Sequence, residues 1–279
     1  MERKIKNPAT GFRTRDGAGV ELVRVLGHDT AEEFDPILML DSFDSTDPDQ
    51  YTAGFPMHPH RGIETITYVY RGQITHRDSL GNEDTIADGE VQWMTAGSGI
   101  LHEEKLPAAE RLLGVQLWLN MPAKNKMSAP AYNSIKTSQI QEIMLDNGKL
   151  RLLAGEYEDT KGYASKYLPL DFYDLHLDPN ASAVINTDRE RSVMLFTLSG
   201  DAYIGGELVR EKTAVKLTSG DHVEIMATDK NAQVLFVSST FLNEPVAWGG
   251  PIVMNTKEEL SKAFEDLKNG TFLKKDISY

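Results

Sequence analysis

The chain of 279 residues has no cysteine at all. Disulfides, thiolate zinc sites and cysteine nucleophiles are excluded together. No apolar run approaches the ~20 residues that a membrane-spanning helix needs. The opening Met1-Glu2-Arg3-Lys4-Ile5-Lys6 carries charge with no apolar core behind it, unlike a secretory leader. Positive charge is in short supply, since 29 Lys and Arg face 42 Asp and Glu for a net charge of −13. Such acidity repels phosphate backbones and argues against direct, non-specific nucleic-acid binding. The expectation is a soluble, cytoplasmic protein that binds neither membrane nor nucleic acid directly. A chain this long can bury roughly three quarters of its unfolded surface, as one large domain or two smaller ones.

Histidine is scarce as well, with seven in the chain, and three of them bracket one stretch. Phe55 to Pro107 opens F-P-M-H-P-H-R-G-I-E-T-I-T-Y-V-Y-R-G and closes V-Q-W-M-T-A-G-S-G-I-L-H-E-E-K-L-P. His58 and His60 are two apart, so on a strand both imidazoles leave one face. His102 and Glu104 repeat that spacing. Turns at Arg71-Gly72, Ser79-Leu80-Gly81-Asn82 and Asp88-Gly89 divide the intervening chain into hairpin-like units. An antiparallel path of that length can return the second pair to the first, so that three imidazoles and one carboxylate share a cavity, which is a metal site. A lone H-x-H is ordinarily just a surface turn. Two such pairs joined by β-hairpin chemistry are much harder to dismiss.

The rest of the chain reads as mostly β. After an extended polar arm over residues 1 to 18, strands are predicted at Val20 to Leu26, Ile37 to Leu40, Glu64 to Tyr70 and Arg111 to Asn120. Turn signals recur roughly every eight to twelve residues. With Gly72 set on Gly200, M-H-P-H-R-G-I-E-T-I-T-Y-V-Y-R-G lies without gaps on I-N-T-D-R-E-R-S-V-M-L-F-T-L-S-G, and Asp88-Gly89 is matched to Gly220-Asp221. Such a duplication fits two stacked barrels, divided here as 1–135 and 136–279. Asn186 and Asp188 then stand where the first half has His58 and His60. The second half keeps only His176 and His222, neither in an H-x-H pair, so one metal per chain is expected. Thr256-Lys257-Glu258-Glu259 has the form of a capping box. Leu260, Ala263, Phe264 and Leu267 follow at helical spacing, predicting a packing helix over about 257–268 that stops at Asn269-Gly270.

The long motif from His58 to Gly72, with Q-W-M-T-A-G-S-G-I-L-H-E-E, resembles the pirin family of bicupins. The likeness continues in M-S-A-P-A-Y from Met127 and in E-P-V-A-W-G-G-P-I-V-M-N-T-K-E-E-L from Glu244. It implies an all-β chain of two cupin-type barrels with a short C-terminal helix and one metal, usually iron, in the first barrel. Its ligands fall on His58, His60, His102 and Glu104. Cupins at large suggest a rival carboxylate, Glu64, which alternation along one strand would place on the same side as the histidines. The donor set suits Fe(II), Mn(II), Ni(II), Cu(II) or Zn(II) without selecting among them.

Two functions follow from the resemblance. The first is a dioxygenase similar to quercetin 2,3-dioxygenases, which open a flavonol ring with O₂ and release carbon monoxide. Glu104 would be the base, and Phe55, Met57, Trp93 and Met94 would wall the flat substrate. Each of those four is equally at home in a barrel core. The second is a metal-dependent co-regulator that binds a protein partner, for which the sequence encodes no recognisable surface.

Overall fold

The computed structural model describes residues 1–274. Strands dominate them, as the β-branched content of stretches such as Ile63–Arg71 (I-E-T-I-T-Y-V-Y-R) requires. The chain divides into two compact units. One comprises Met1–Phe12, Val25–Pro36 and Thr137–Phe241; the other comprises Arg13–Arg24, Ile37–Lys136 and the segment from Leu242 on.

The unit that carries the histidine motif has a seven-stranded sheet with Ala131–Ile135, Glu90–Thr95, Ile63–Arg71, Leu112–Asn120, Ile37–Ser45, Val20–Leu26 and Phe12–Asp16 in spatial order. A four-stranded sheet orders Phe55–His60, Ile100–Lys105, Ile74–Asp78 and Glu83–Ile86. Phe43, Tyr51, Val69, Ile74, Ile86 and Leu112 belong to its apolar core, with Phe55 packed against them.

The other unit repeats the plan. Ile5–Thr10, Thr213–Leu217, Ser192–Ser199, Ala232–Ser239, Leu170–Leu177, Gly148–Ala154 and Gln141–Leu145 form seven strands, and Ser182–Asn186, His222–Ala227, Ala202–Ile204 and Glu207–Val209 form four. Asn186 pairs with His222 as His58 pairs with His102. In this unit, however, the neighbours Ile185 and Val223 turn into the core, where they join Leu150, Leu175, Leu195 and Phe236. Asn186 is exposed and His222 half-buried. Apolar side chains occupy the interior that polar ligands would need.

Two expectations are corrected. The units are not the halves 1–135 and 136–279, although the chain does pass between them at Lys136/Thr137. The ends are exchanged, because Ile5–Thr10 finds its backbone partners on Thr213–Leu217. The closing helix, Lys257–Asn269, buries Ala263 beside Ile252, Met254, Phe272 and Leu101 of the histidine unit. An edge strand and an amphipathic helix settle where a matching edge or apolar face is open, which a local pattern does not specify. The second correction concerns the duplication. The turn that corresponds to Asp88-Gly89 precedes Thr213–Leu217 and is made by Lys212 at φ 60°, whereas Gly220-Asp221 leads into His222–Ala227.

The helix itself forms as its sequence prescribes. Glu259 N–H donates to Thr256 Oγ1 at 3.1 Å, and Thr256 N–H donates back to Glu259 Oε2 at 3.0 Å. Gly270 closes it in the left-handed region.

Candidate metal centre

Strand register assembles the cluster. Phe55–His60 runs antiparallel to Ile100–Lys105, with His102 opposite His58 and Ile100 opposite His60. Residues directly opposite share a face, so alternation sends all three imidazoles to one side. A bulge then sets Glu104 opposite Phe55, keeping the carboxylate on the histidines' side. After His60 the chain turns sharply into the other sheet. Gly62 makes that corner at φ 81°, where a Cβ would lie 1.9 Å from the Val253 carbonyl oxygen, so only glycine fits. Buried Arg61 anchors the corner. Its guanidinium donates to Asp266 of the closing helix at 2.9 Å, to Ser98 O at 2.7 Å and to Phe272 O at 2.9 Å.

The ligand atoms of His58, His60 and His102 all lie within 4.8 Å of one another, the only such group of His, Asp and Glu among the described residues. His58 Nδ1 stands 2.8 Å from Pro56 O, and His60 Nδ1 stands 3.0 Å from Pro251 O. A carbonyl only accepts, so each Nδ1 carries the hydrogen and a neutral ring presents a bare Nε2. Those two Nε2 atoms are 3.0 Å apart, a repulsive arrangement of lone pairs unless a proton or cation joins them. Two cis nitrogens about 2.1 Å from one ion are about 3 Å apart. His102 Nε2 is buried without a hydrogen-bond partner. The residues therefore fit a divalent ion.

Protons compete poorly here. Burial, with the charge of His58 next in importance, pulls the His60 imidazole down to about 3, and burial pulls His102 well below its ordinary value. Both groups then bind protons in the unfolded chain below about pH 6.5 but not in the folded one. Stability of the metal-free protein is expected to fall as pH drops from 6.5 towards 3, with His60 alone contributing a loss of about 2 kcal/mol at pH 5 and His102 adding a loss of the same sign. Urea unfolding of the metal-free protein and of His60→Gln at pH 8 and pH 5 checks this. The wild type loses more than the variant, and equal losses contradict it.

Glu104, 3% exposed, lies outside the cluster of mutually close ligand atoms. Gln116 Nε2 donates to its Oε2 at 3.0 Å and to its Oε1 at 3.3 Å, and Gln92 Nε2 donates to Oε1. Both amides also donate to Thr67 Oγ1. Glu64 is placed differently. The corner at Gly62 moves it into the seven-stranded sheet, so alternation along one strand from His58 does not reach it. There it aligns with Leu119 and Thr95, on the face opposite to Thr67, Gln92 and Gln116, and Thr95 Oγ1 donates to it at 2.6 Å.

Of the expected walls, Met94 shares the inward face with Gln92, and Phe55 packs edge-on to Phe43 at 6.3 Å between centroids. Trp93 aligns with Ile66 on the face turned away from the cluster. Met57, at the bulge, is 45% exposed. The aromatic surface beside the imidazoles is instead Trp118, edge-on to His60 at 5.0 Å, and Trp248, 5.8 Å from Trp118.

Sequence reading missed those two tryptophans, both glutamines, and His76 with Asp78. One signal was available. Val91-Gln92-Trp93-Met94 and Val115-Gln116-Leu117-Trp118 each set a glutamine inside an apolar run, where a polar side chain needs a partner.

Two cupin-type β units, one holding an imidazole cluster in which His60 and His102 are buried, define a bicupin with a candidate metal centre. Residues 19–119 match the family model described as Pirin, and residues 172–273 the one described as Pirin C-terminal cupin domain. A pirin-like protein of Caulobacter vibrioides is 38% identical over 275 residues, covering 97% of this chain and 99% of its own. The human protein Pirin is 35% identical over 274 residues, covering 96% and 93%. A crystal structure of quercetin 2,3-dioxygenase from Acinetobacter baumannii has a TM-score of 0.90 at 33% identity, covering 98% of this chain and 99% of that one. The chain belongs to the pirin family.

Proposed function

We propose that this pirin is a metal-dependent dioxygenase that opens a flavonol-type ring with O₂ and releases carbon monoxide. The observation that carries the proposal is the convergence of the ligand atoms of half-buried His58 and buried His60 and His102, with the buried Glu104 carboxylate on the same side of the strand pair. His58, His60 and His102 would hold one divalent ion, with Glu104 as fourth ligand. Iron(II) is the first choice on the family resemblance, and the donors accept Mn, Ni, Cu or Zn as well. Such an ion supplies Lewis acidity towards a substrate hydroxyl and a template for the reaction.

The chain's own residues do the rest. Glu104 accepts the hydroxyl proton as substrate binds. Gln92 and Gln116 orient its two oxygens through the amide donors described above. Trp118 and the more exposed Trp248, beside His60, offer apolar surface to a flat ring, whereas Met94 is fully buried and Phe55 packs into the core. Burial of His60 and His102 keeps bulk water from competing for their nitrogens. The quercetin 2,3-dioxygenase of A. baumannii, so similar in fold, supports a flavonol as substrate.

The test is loss of flavonol absorbance under air by metal-loaded protein, with carbon monoxide measured in the headspace and an anaerobic control. Oxygen-dependent release of carbon monoxide above that given by free metal is expected. No release above free metal defeats the catalytic reading and favours the co-regulator.

A further inference from the structure

We infer that Asp78 and His76 act as a positioning pair that fixes the tautomer of His102, and thereby govern how tightly the centre holds its metal. The inference rests on the reading that the three histidines are ligands. Its starting point is register. Ile74–Asp78 pairs with Ile100–Lys105, setting Asp78 opposite His102 and His76 opposite Glu104. Both side chains therefore face the interior that holds the cluster, and both are fully buried.

The hydrogens can be placed one after another from the carboxylate inwards. Asp78 Oδ1 accepts from Leu80 N–H at 2.9 Å and Asn82 N–H at 3.1 Å, and Oδ2 accepts from the Asn82 amide at 2.9 Å. Oδ2 also stands 2.9 Å from His76 Nε2. A carboxylate ringed by donors accepts from this one too, so His76 carries its hydrogen on Nε2 and a lone pair on Nδ1. That lone pair faces His102 Nδ1 at 3.3 Å. His102 must then be the Nδ1–H tautomer, which leaves its buried Nε2 bare and directed at the cluster. The opposite tautomer would oppose two lone pairs at Nδ1 and put a hydrogen where the metal belongs.

The relay is held in place. The His76 ring stacks on Tyr132 at 4.2 Å between centroids and 13° between planes. His102 also differs from the other two ligands, because backbone carbonyls orient His58 and His60 whereas side chains orient His102. Its support can therefore be removed by substitution. Partners of this kind typically change metal affinity 10–100-fold when lost.

Asp78→Asn is the sharpest probe, since it keeps the shape. The backbone amides of Leu80 and Asn82 demand that the new carbonyl occupy the Oδ1 position, which turns the amide NH₂ towards His76 and makes the Asn82 side-chain amide present its oxygen there instead of its NH₂. His76 then shifts its hydrogen to Nδ1, and His102 is forced into the unproductive tautomer. His76→Phe removes the acceptor outright, whereas His76→Asn restores an oxygen near the Nδ1 position.

Nickel(II) or cobalt(II) affinity is measured by chelator competition on each full-length variant. The visible spectrum of the cobalt forms and long-range ¹⁵N NMR of the histidines in the metal-free forms are recorded in parallel. Asp78→Asn and His76→Phe are expected to bind about 10–100-fold more weakly with metal-free unfolding midpoints close to wild type, and His76→Asn to recover most of the loss. The His102 ¹⁵N pattern should change from Nδ1–H to Nε2–H in Asp78→Asn. Affinities of Asp78→Asn and His76→Phe within about threefold of wild type, well short of the usual effect, overturn the inference. So does an unchanged His102 tautomer in Asp78→Asn. Wild-type protein that binds neither metal overturns the metal reading instead.

Discussion

Replacing Glu104 by Gln is expected to lower flavonol turnover by about 10²–10⁴-fold, the usual contribution of a positioned base. The substitution keeps size and polarity but removes the acceptor that takes the hydroxyl proton, and it sets an amide against the donors of Gln92 and Gln116. One of the three amides must then turn, so orientation is lost along with basicity. Glu64→Gln is the matched control. Its side chain lies on the far face of the seven-stranded sheet against Thr95 Oγ1, where an amide oxygen can accept the same bond, and turnover should stay near wild type. Steady-state kinetics on both variants, loaded with the same metal, decides the matter. Loss with Glu64→Gln and retention with Glu104→Gln would move the catalytic carboxylate to the general cupin position.

The second large effect concerns metal-linked stability. Wild-type protein in free metal at a hundredfold excess over Kd should gain about 2.7 kcal/mol of unfolding free energy. The double variant His58→Ala with His60→Ala should gain nothing, because it lacks the two nitrogens that face each other across 3.0 Å. Urea unfolding with and without metal provides the comparison. The same gain in the variant would mean that the ion binds elsewhere.

The candidate ligands were legible because their spacing is written at a strand's period. His58 with His60, and His102 with Glu104, share a face through alternation alone, and strand register brings His102 beside the first pair while Glu104 stays outside that cluster. Alternation is silent once the chain changes sheet, and that defeated the parity argument for Glu64. Gly62 turns the corner, and residues on its two sides no longer share a frame. Trp93 shows the same limit from the other direction. It is as apolar as its neighbours, yet its parity turns it away, while Trp118 on another strand stands beside His60. Trp248, Pro251 and Asp266 come from a segment nearly two hundred residues later in the chain, joined to the ligand strand by contacts such as that of Arg61 with Asp266, which no local pattern announces. His76-Arg77-Asp78 has the same i, i+2 spacing as the ligand pairs and was open to detection. Lying in the middle of the motif, it reads as an ordinary hairpin strand until register sets it beside His102.

The most direct test of the account is the metal content of the purified, metal-loaded chain, measured by elemental analysis after exhaustive dialysis. The account predicts one divalent ion per chain in the wild type and none in His58→Ala with His60→Ala, because apolar side chains fill the corresponding interior of the other unit. Two ions per wild-type chain, or one ion retained by the double variant, would contradict it.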